Sequence, residues 1–157
     1  MRCVTMCLAG LLLSGAGLVY SADDTKKDEA TQNDLKALAG NWQVVSREVD
    51  GEKADQKAIE ATRVTMDRDG IATVKREGKT IRKSKWTNLD TAKDPKTVDV
   101  EVIEGENKGK VYLGIYRVEE NNMTFCLANP DKKRPTTFST EAGSGCTLIS
   151  FKREQAK

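Results

Sequence analysis

The sequence predicts an all-β domain: about eight antiparallel strands closing into an up-and-down barrel, with a short helical turn before the first strand. Three observations predict it. From Asn41 to Lys152 the apolar residues alternate rather than recur at helical spacing. The strand-like runs are short and separated by turn chemistry: Asp50-Gly51, Asp69-Gly70, Glu77-Gly78, Asp94-Pro95, the Gly105–Gly109 stretch and Asn121-Asn122. Only Ala54–Ala61 looks helical between them.

Residues 1–22 read as a secretory signal peptide. Arg2 supplies a positive charge, the apolar run Leu8–Val19 is short for a membrane span, and Tyr20-Ser21-Ala22 leads into Asp23-Asp24. A cut after Ser21 places Val19 at the third position back, whereas a cut after Ala22 would place bulky Tyr20 there. Val4-Thr5-Met6 before Cys7 lacks the small residue that lipid attachment needs. The expected destination is therefore across the cytoplasmic membrane, in a periplasmic or extracellular space.

Residues 23–34 are polar and charged without apolar periodicity, and are expected to form a disordered tether. The barrel domain is expected over residues 35–154. Leu35, Leu38 and Ala39 stand at helical spacing before Gly40 and give the helical turn. The expected strands are Trp42–Val49, Arg63–Asp67, Ile71–Arg76, Thr80–Trp86, Thr97–Ile103, Lys110–Glu119, Met123–Ala128 and Cys146–Lys152. Thr97-Val98-Asp99-Val100-Glu101-Val102 is the clearest, with strict period two.

A hairpin tip at Glu119–Asn122 sets Val118 against Met123 and Tyr116 against Phe125. Alternation then gathers Tyr112, Gly114, Tyr116, Val118, Met123, Phe125 and Leu127 on one face, joined by Val98, Val100 and Val102. This is the expected barrel interior. Val98, Val100, Val102, Tyr112, Tyr116, Phe125 and Leu127 are the candidate lining of a site for a small apolar ligand.

Losing the signal removes Arg2 and no acid, so the 26 basic and 24 acidic side chains come nearly into balance. That balance favours neither nucleic acid nor anionic lipid as a partner, and no membrane insertion is expected after signal cleavage. The chain has no histidine, which excludes Ser-His-Asp and Cys-His catalysis and removes the commonest zinc and haem ligand. Gly143-Ser144-Gly145 is not a nucleophile elbow. Gly105-Glu106-Asn107-Lys108-Gly109-Lys110 is one residue short of a phosphate loop, lacks its Ser/Thr and joins two strands. Asp67-Arg68-Asp69-Gly70 lacks calcium-loop spacing and reads as a hairpin turn. Asn122-Met123-Thr124 fits a glycosylation sequon at a strand tip. No catalytic residue, metal or cofactor is expected, and the chain reads as non-enzymatic.

Cys126 and Cys146 remain after the signal leaves. Both fall on the outer face of strands expected to be neighbours, which makes them a candidate disulfide closing a loop of about 20 residues; two free thiols are the alternative.

Gly40-Asn41-Trp42 enters the first strand, and parity places Arg153 of the last strand on the inner face beside it. Gly40 allows the bend, Trp42 plugs the barrel end, and Arg153 lies over the indole as a cation–π partner. This Gly-x-Trp with a basic residue closing the last strand resembles the lipocalin arrangement.

A closer resemblance follows from three stretches. Leu38-Ala39-Gly40-Asn41-Trp42-Gln43-Val44-Val45, the run from Gly105 to Tyr116, and Met123–Ala128 with Arg134-Pro135-Thr136-Thr137-Phe138 and Gly143-Ser144-Gly145 are similar to an uncharacterised lipocalin-like family of small secreted planctomycete proteins. The resemblance covers residues 35–154. It implies a lipocalin-like fold, carries no catalytic or ligand residues, and lends no support to a disulfide. Two functions are consistent with it. One is a binding module with a small ligand in the barrel. The other is a cell-envelope structural or protein-interaction domain whose barrel is filled by its own side chains and whose partner is unknown. The low aromatic content, 5%, leans towards interior space; the medium to large inner side chains lean against it.

Overall fold

The computed structural model describes residues 22–155. The expected signal peptide lies outside the described residues, except for Ala22, which opens a helix. Nine strands and two helices follow one another: α1 (Ala22–Leu38), β1 (Gly40–Val49), β2 (Glu52–Lys53), α2 (Gln56–Glu60), β3 (Thr62–Met66), β4 (Ile71–Arg76), β5 (Lys79–Asp90), β6 (Lys96–Gly105), β7 (Val111–Val118), β8 (Asn122–Ala128) and β9 (Cys146–Arg153). Each long strand pairs antiparallel with its successor, and β1 pairs with both β3 and β9. Eight strands thereby close into a barrel, with β2 as a short extra strand on β1. The all-β up-and-down barrel expected from the alternation is the observed fold.

The turns follow from residues that tolerate left-handed backbone. Asp50 and Gly51 have φ of 51° and 82°, and Glu77 and Gly78 have 50° and 78°. Two successive positive φ values make the primed turns whose twist matches that of antiparallel strands. The Asp67–Gly70 segment is the hairpin turn expected: Asp67 Oδ1 accepts from the backbone N–H groups of Asp69 and Ile71, at 3.0 and 2.8 Å. That carboxylate is used to satisfy backbone donors.

The register of the C-terminal hairpin matches parity: Tyr116 stands opposite Phe125, and Val118 opposite Met123. Strand β1 departs from simple alternation. A bulge between Val44 and Ser46 leaves Val45 unpaired and exposed, and shifts Arg47 opposite Ile149 and Val49 opposite Thr147. Residues after the bulge thus face the opposite way from strict alternation with Trp42 and Val44. Above Gln43, β1 no longer pairs with β3. Helix α2 occupies that gap, with Ile59 buried in the core and Asp55 capping the helix through the N–H of Ala58.

The tether expected at residues 23–34 is instead the larger part of α1. Five of its twelve residues are helix-compatible Lys, Glu, Ala or Gln, against seven Asp, Thr and Asn, so intrinsic propensity contributes little and the docked C-terminal end fixes the helix. The expected turn is the end of this helix, at Leu35–Leu38, with the Ala39 N–H bonded back to the Leu35 carbonyl, and it docks on the barrel through Leu35 and Leu38. None of the helices among the described residues is long and apolar enough to cross a membrane.

Candidate functional site

The two ends of the barrel differ. At one end the C-terminal half of α1 forms a plug. Leu38 is completely buried, and its carbonyl accepts from the Trp42 indole N–H at 2.8 Å. Asp34 accepts from Lys96 Nζ at 2.8 and 2.9 Å and from the Tyr116 hydroxyl at 2.7 Å. Burial, then the hydrogen bond to Asp34 and the charges of Asp34 and Asp90, push the Tyr116 phenol well above its usual range. The Arg153 guanidinium lies 4.1 Å from the Trp42 ring centroid and donates to the carbonyls of Ala39, Ala37 and Glu120. It therefore caps α1 while covering the indole. Gly40, at φ 137°, has no Cβ to collide with Arg153 Nη1.

The middle is occupied by the protein's own side chains. Trp86 meets Phe125 edge-on at 4.4 Å between centroids, and Phe125 meets Phe151 at 5.7 Å. Val98, Val100, Val102, Tyr116 and Phe125, five of the candidate lining residues, are buried, and Tyr112 and Leu127 are partly buried. All seven face inward as parity placed them. Leu127 fills the space above Gly114: a Cβ on Gly114 would overlap Leu127 Cδ2 and press on the Cys126 carbonyl.

The opposite end is a polar mouth. Arg82 of β5 pairs with inward-facing Val74, two residues before buried Ser84 and four before Trp86, so it points into the barrel. The bulge turns Arg47 of β1 to the same side, where its exposed side chain is near enough for its charge to act on Arg82, and Tyr112 of β7 also faces in. The Arg82 Nε and the Ser84 hydroxyl are both buried, with no hydrogen-bond partner among the described residues. Burial lowers the Arg82 pKa; Tyr112 opposes that effect and the positive charge of Arg47 adds to it. Among the described residues the ion pairs are Arg63–Glu154, Lys83–Glu104, Lys96–Asp34 and Arg134–Asp99, so neither mouth arginine joins one. Shallow surface clefts of about 500 Å³ lie outside both ends, one between Val49–Ala54 and Ala142-Gly143 and one between Lys36-Ala37, Val118–Asn121 and Arg153, and neither is lined by Arg47, Arg82, Ser84 or Tyr112.

Outside the barrel, the segment from Asn129 to Gly145 folds over β7, β8 and β9. Arg134 fastens it by donating to the carbonyls of Val98 and Gly114, each at 2.6 Å, and to the Asp99 carboxylate at 2.5 Å. Beneath lie Ile115, Cys126, Ala128 and Cys146, a second apolar cluster. The candidate disulfide is not formed: Cys126 and Cys146 are free, buried thiols. The reason is register. Cys126 stands opposite Leu148 and Cys146 opposite Ala128, so the two are diagonal rather than directly paired. Diagonal neighbours are about 7–8 Å apart, beyond comfortable disulfide geometry. Burial, and the adjacent Cys146 thiol, push the Cys126 thiol up to about 11.

Arg47, Arg82 and Ser84 were not among the residues singled out from sequence. Arg82 carried a readable signal, since it shares parity with Trp86, but its charge argues for the outer face. Arg47 carried none, because only the bulge turns it inward.

No family model, no curated protein and no solved structure matches this chain.

Proposed function

We propose that this chain is an exported, non-enzymatic, lipocalin-like binding domain that takes a small molecule at the barrel end opposite α1. The observation that carries the reading is the contrast between the ends. One is closed by α1, Trp42 and Arg153, and the other holds buried polar groups without partners. An isolated domain has no reason to bury an unpaired guanidinium N–H and hydroxyl, each at a cost of about 1–3 kcal/mol. A ligand that pairs with them removes that cost.

The apolar ligand expected from sequence is confined by the same geometry to the upper part of the barrel, since aromatic rings and Leu127 fill the middle. That filling favours a second reading, a cell-envelope interaction domain with a self-filled barrel. Native mass measurement on protein purified from its own host separates them. A bound small molecule released by denaturation supports the binding domain; the bare chain mass throughout supports the interaction domain.

A further inference from the structure

We infer that the barrel mouth is an anion site built on Arg82, with Arg47, Ser84 and Tyr112 around it, and that its ligand is an organic carboxylate with a short hydrocarbon tail. The inference rests on the reading of the barrel as a binding domain and names the chemistry of its ligand.

Arg82 of β5 and the exposed Arg47 of β1 face the same end of the barrel, and neither joins an ion pair among the described residues. Burial first, and the positive charge of Arg47 after it, disfavour the charged guanidinium of Arg82. An arginine elsewhere in this molecule shows the contrast: Arg134, also partly buried, makes three hydrogen bonds, to Asp99 and two carbonyls. What Arg82 lacks is an acceptor, and its buried Nε marks where the acceptor belongs. A guanidinium presents parallel N–H groups that match the two oxygens of a carboxylate. The Ser84 hydroxyl, buried and unpartnered one inward position below, adds a donor.

The wall around these groups argues for carbon attached to the anion. Val74, Val102, Tyr112, Leu127 and Ile149 line the upper interior, where a bare inorganic ion would leave apolar surface uncovered. Trp86 and Phe125 close the space below, so the tail must be short.

Calorimetric titration of the purified protein with hexanoate, 1-hexanol and inorganic phosphate tests this. One-site saturation by hexanoate, no saturation by hexanol or phosphate, and at least about tenfold weaker hexanoate binding by Arg82→Met are expected. Arg82→Lys, which keeps the charge but not the fork, should fall between and serves if Arg82→Met does not fold. Equal hexanoate binding by the wild type and either variant overturns the proposal. Hexanol saturating as hexanoate does also overturns it while leaving a binding domain in place. Phosphate binding in preference to hexanoate overturns the carboxylate assignment, and saturation by none of the three removes both the anion site and the binding reading.

Discussion

Arg153 lies face-on over Trp42, 4.1 Å from its ring centroid, while the same guanidinium holds the last carbonyls of α1. One residue of the final strand thereby joins the first strand and the N-terminal helix into a single closure. Trp42→Ala should cost about 3–5 kcal/mol as a large buried truncation. Arg153→Met should cost about 1–2 kcal/mol through the lost cation–π contact, plus the capping hydrogen bonds. Urea denaturation measures both, and an unchanged midpoint for Trp42→Ala would contradict the closure.

Tyr116 gives the closed end a pH dependence of definite sign. Its folded-state pKa is raised, by burial first and by Asp34 next. The stability it contributes is fully present below its unfolded pKa, about 10, and is lost as pH rises beyond that towards the folded value. The stability difference between wild type and Tyr116→Phe should therefore shrink between pH 9 and pH 11. A gap that stays constant over that range would show that the phenol ionises freely.

Gly114 reports whether the middle of the barrel is full. A side chain there meets Leu127 and the Cys126 carbonyl, so Gly114→Leu should destabilise by about 1–3 kcal/mol through overpacking. Trimming the neighbour in Gly114→Ala/Leu127→Ala should be less harmful than the sum of the single changes. Additivity in that double-mutant cycle would mean that the two positions do not share space.

The thiols follow from register. Two reactive thiols per chain, from Cys126 and Cys146, should titrate after denaturation of the unreduced protein lacking residues 1–21, and neither should react quickly before it. Absence of free thiols after denaturation would mean that the strands slide or twist enough to bond them.

How much of this was legible depends on the kind of signal each residue carries. The strands were, because Val98, Val100 and Val102 alternate strictly with Thr97, Asp99 and Glu101, and because turn residues separate the runs. The Trp42–Arg153 pairing was also legible, since both lie at strand ends where parity extends without interruption. Helix α1 was not: its polar stretch has no apolar stripe, and it is tied to the barrel at its C-terminal end, by Asp34, Leu35, Leu38 and the Ala37 carbonyl. The mouth was hidden for a different reason. A bulge is a backbone event without a side-chain pattern, so alternation carried past Val45 aims Arg47 outward when it faces in. Likewise, an arginine on an alternating strand reads as solvent-facing unless an unpaired polar site is already known.

The orphaned guanidinium also has a stability consequence. Without ligand, Arg82→Met should leave the protein unharmed or stabilise it by on the order of 1 kcal/mol, because an apolar chain replaces a desolvated charge that lacks a partner. Marked destabilisation would mean that Arg82 is bonded within the protein and is structural.

In the proposed function the two ends of the barrel do different work, one closed and one receiving ligand. Methyl resonances during titration with hexanoate test it most directly. Saturable shifts are expected at Val74, Val102, Leu127 and Ile149, with Leu38, Met66 and Met123 near the plug unmoved. Shifts confined to the plugged end, or no saturable shift at any methyl, would contradict it.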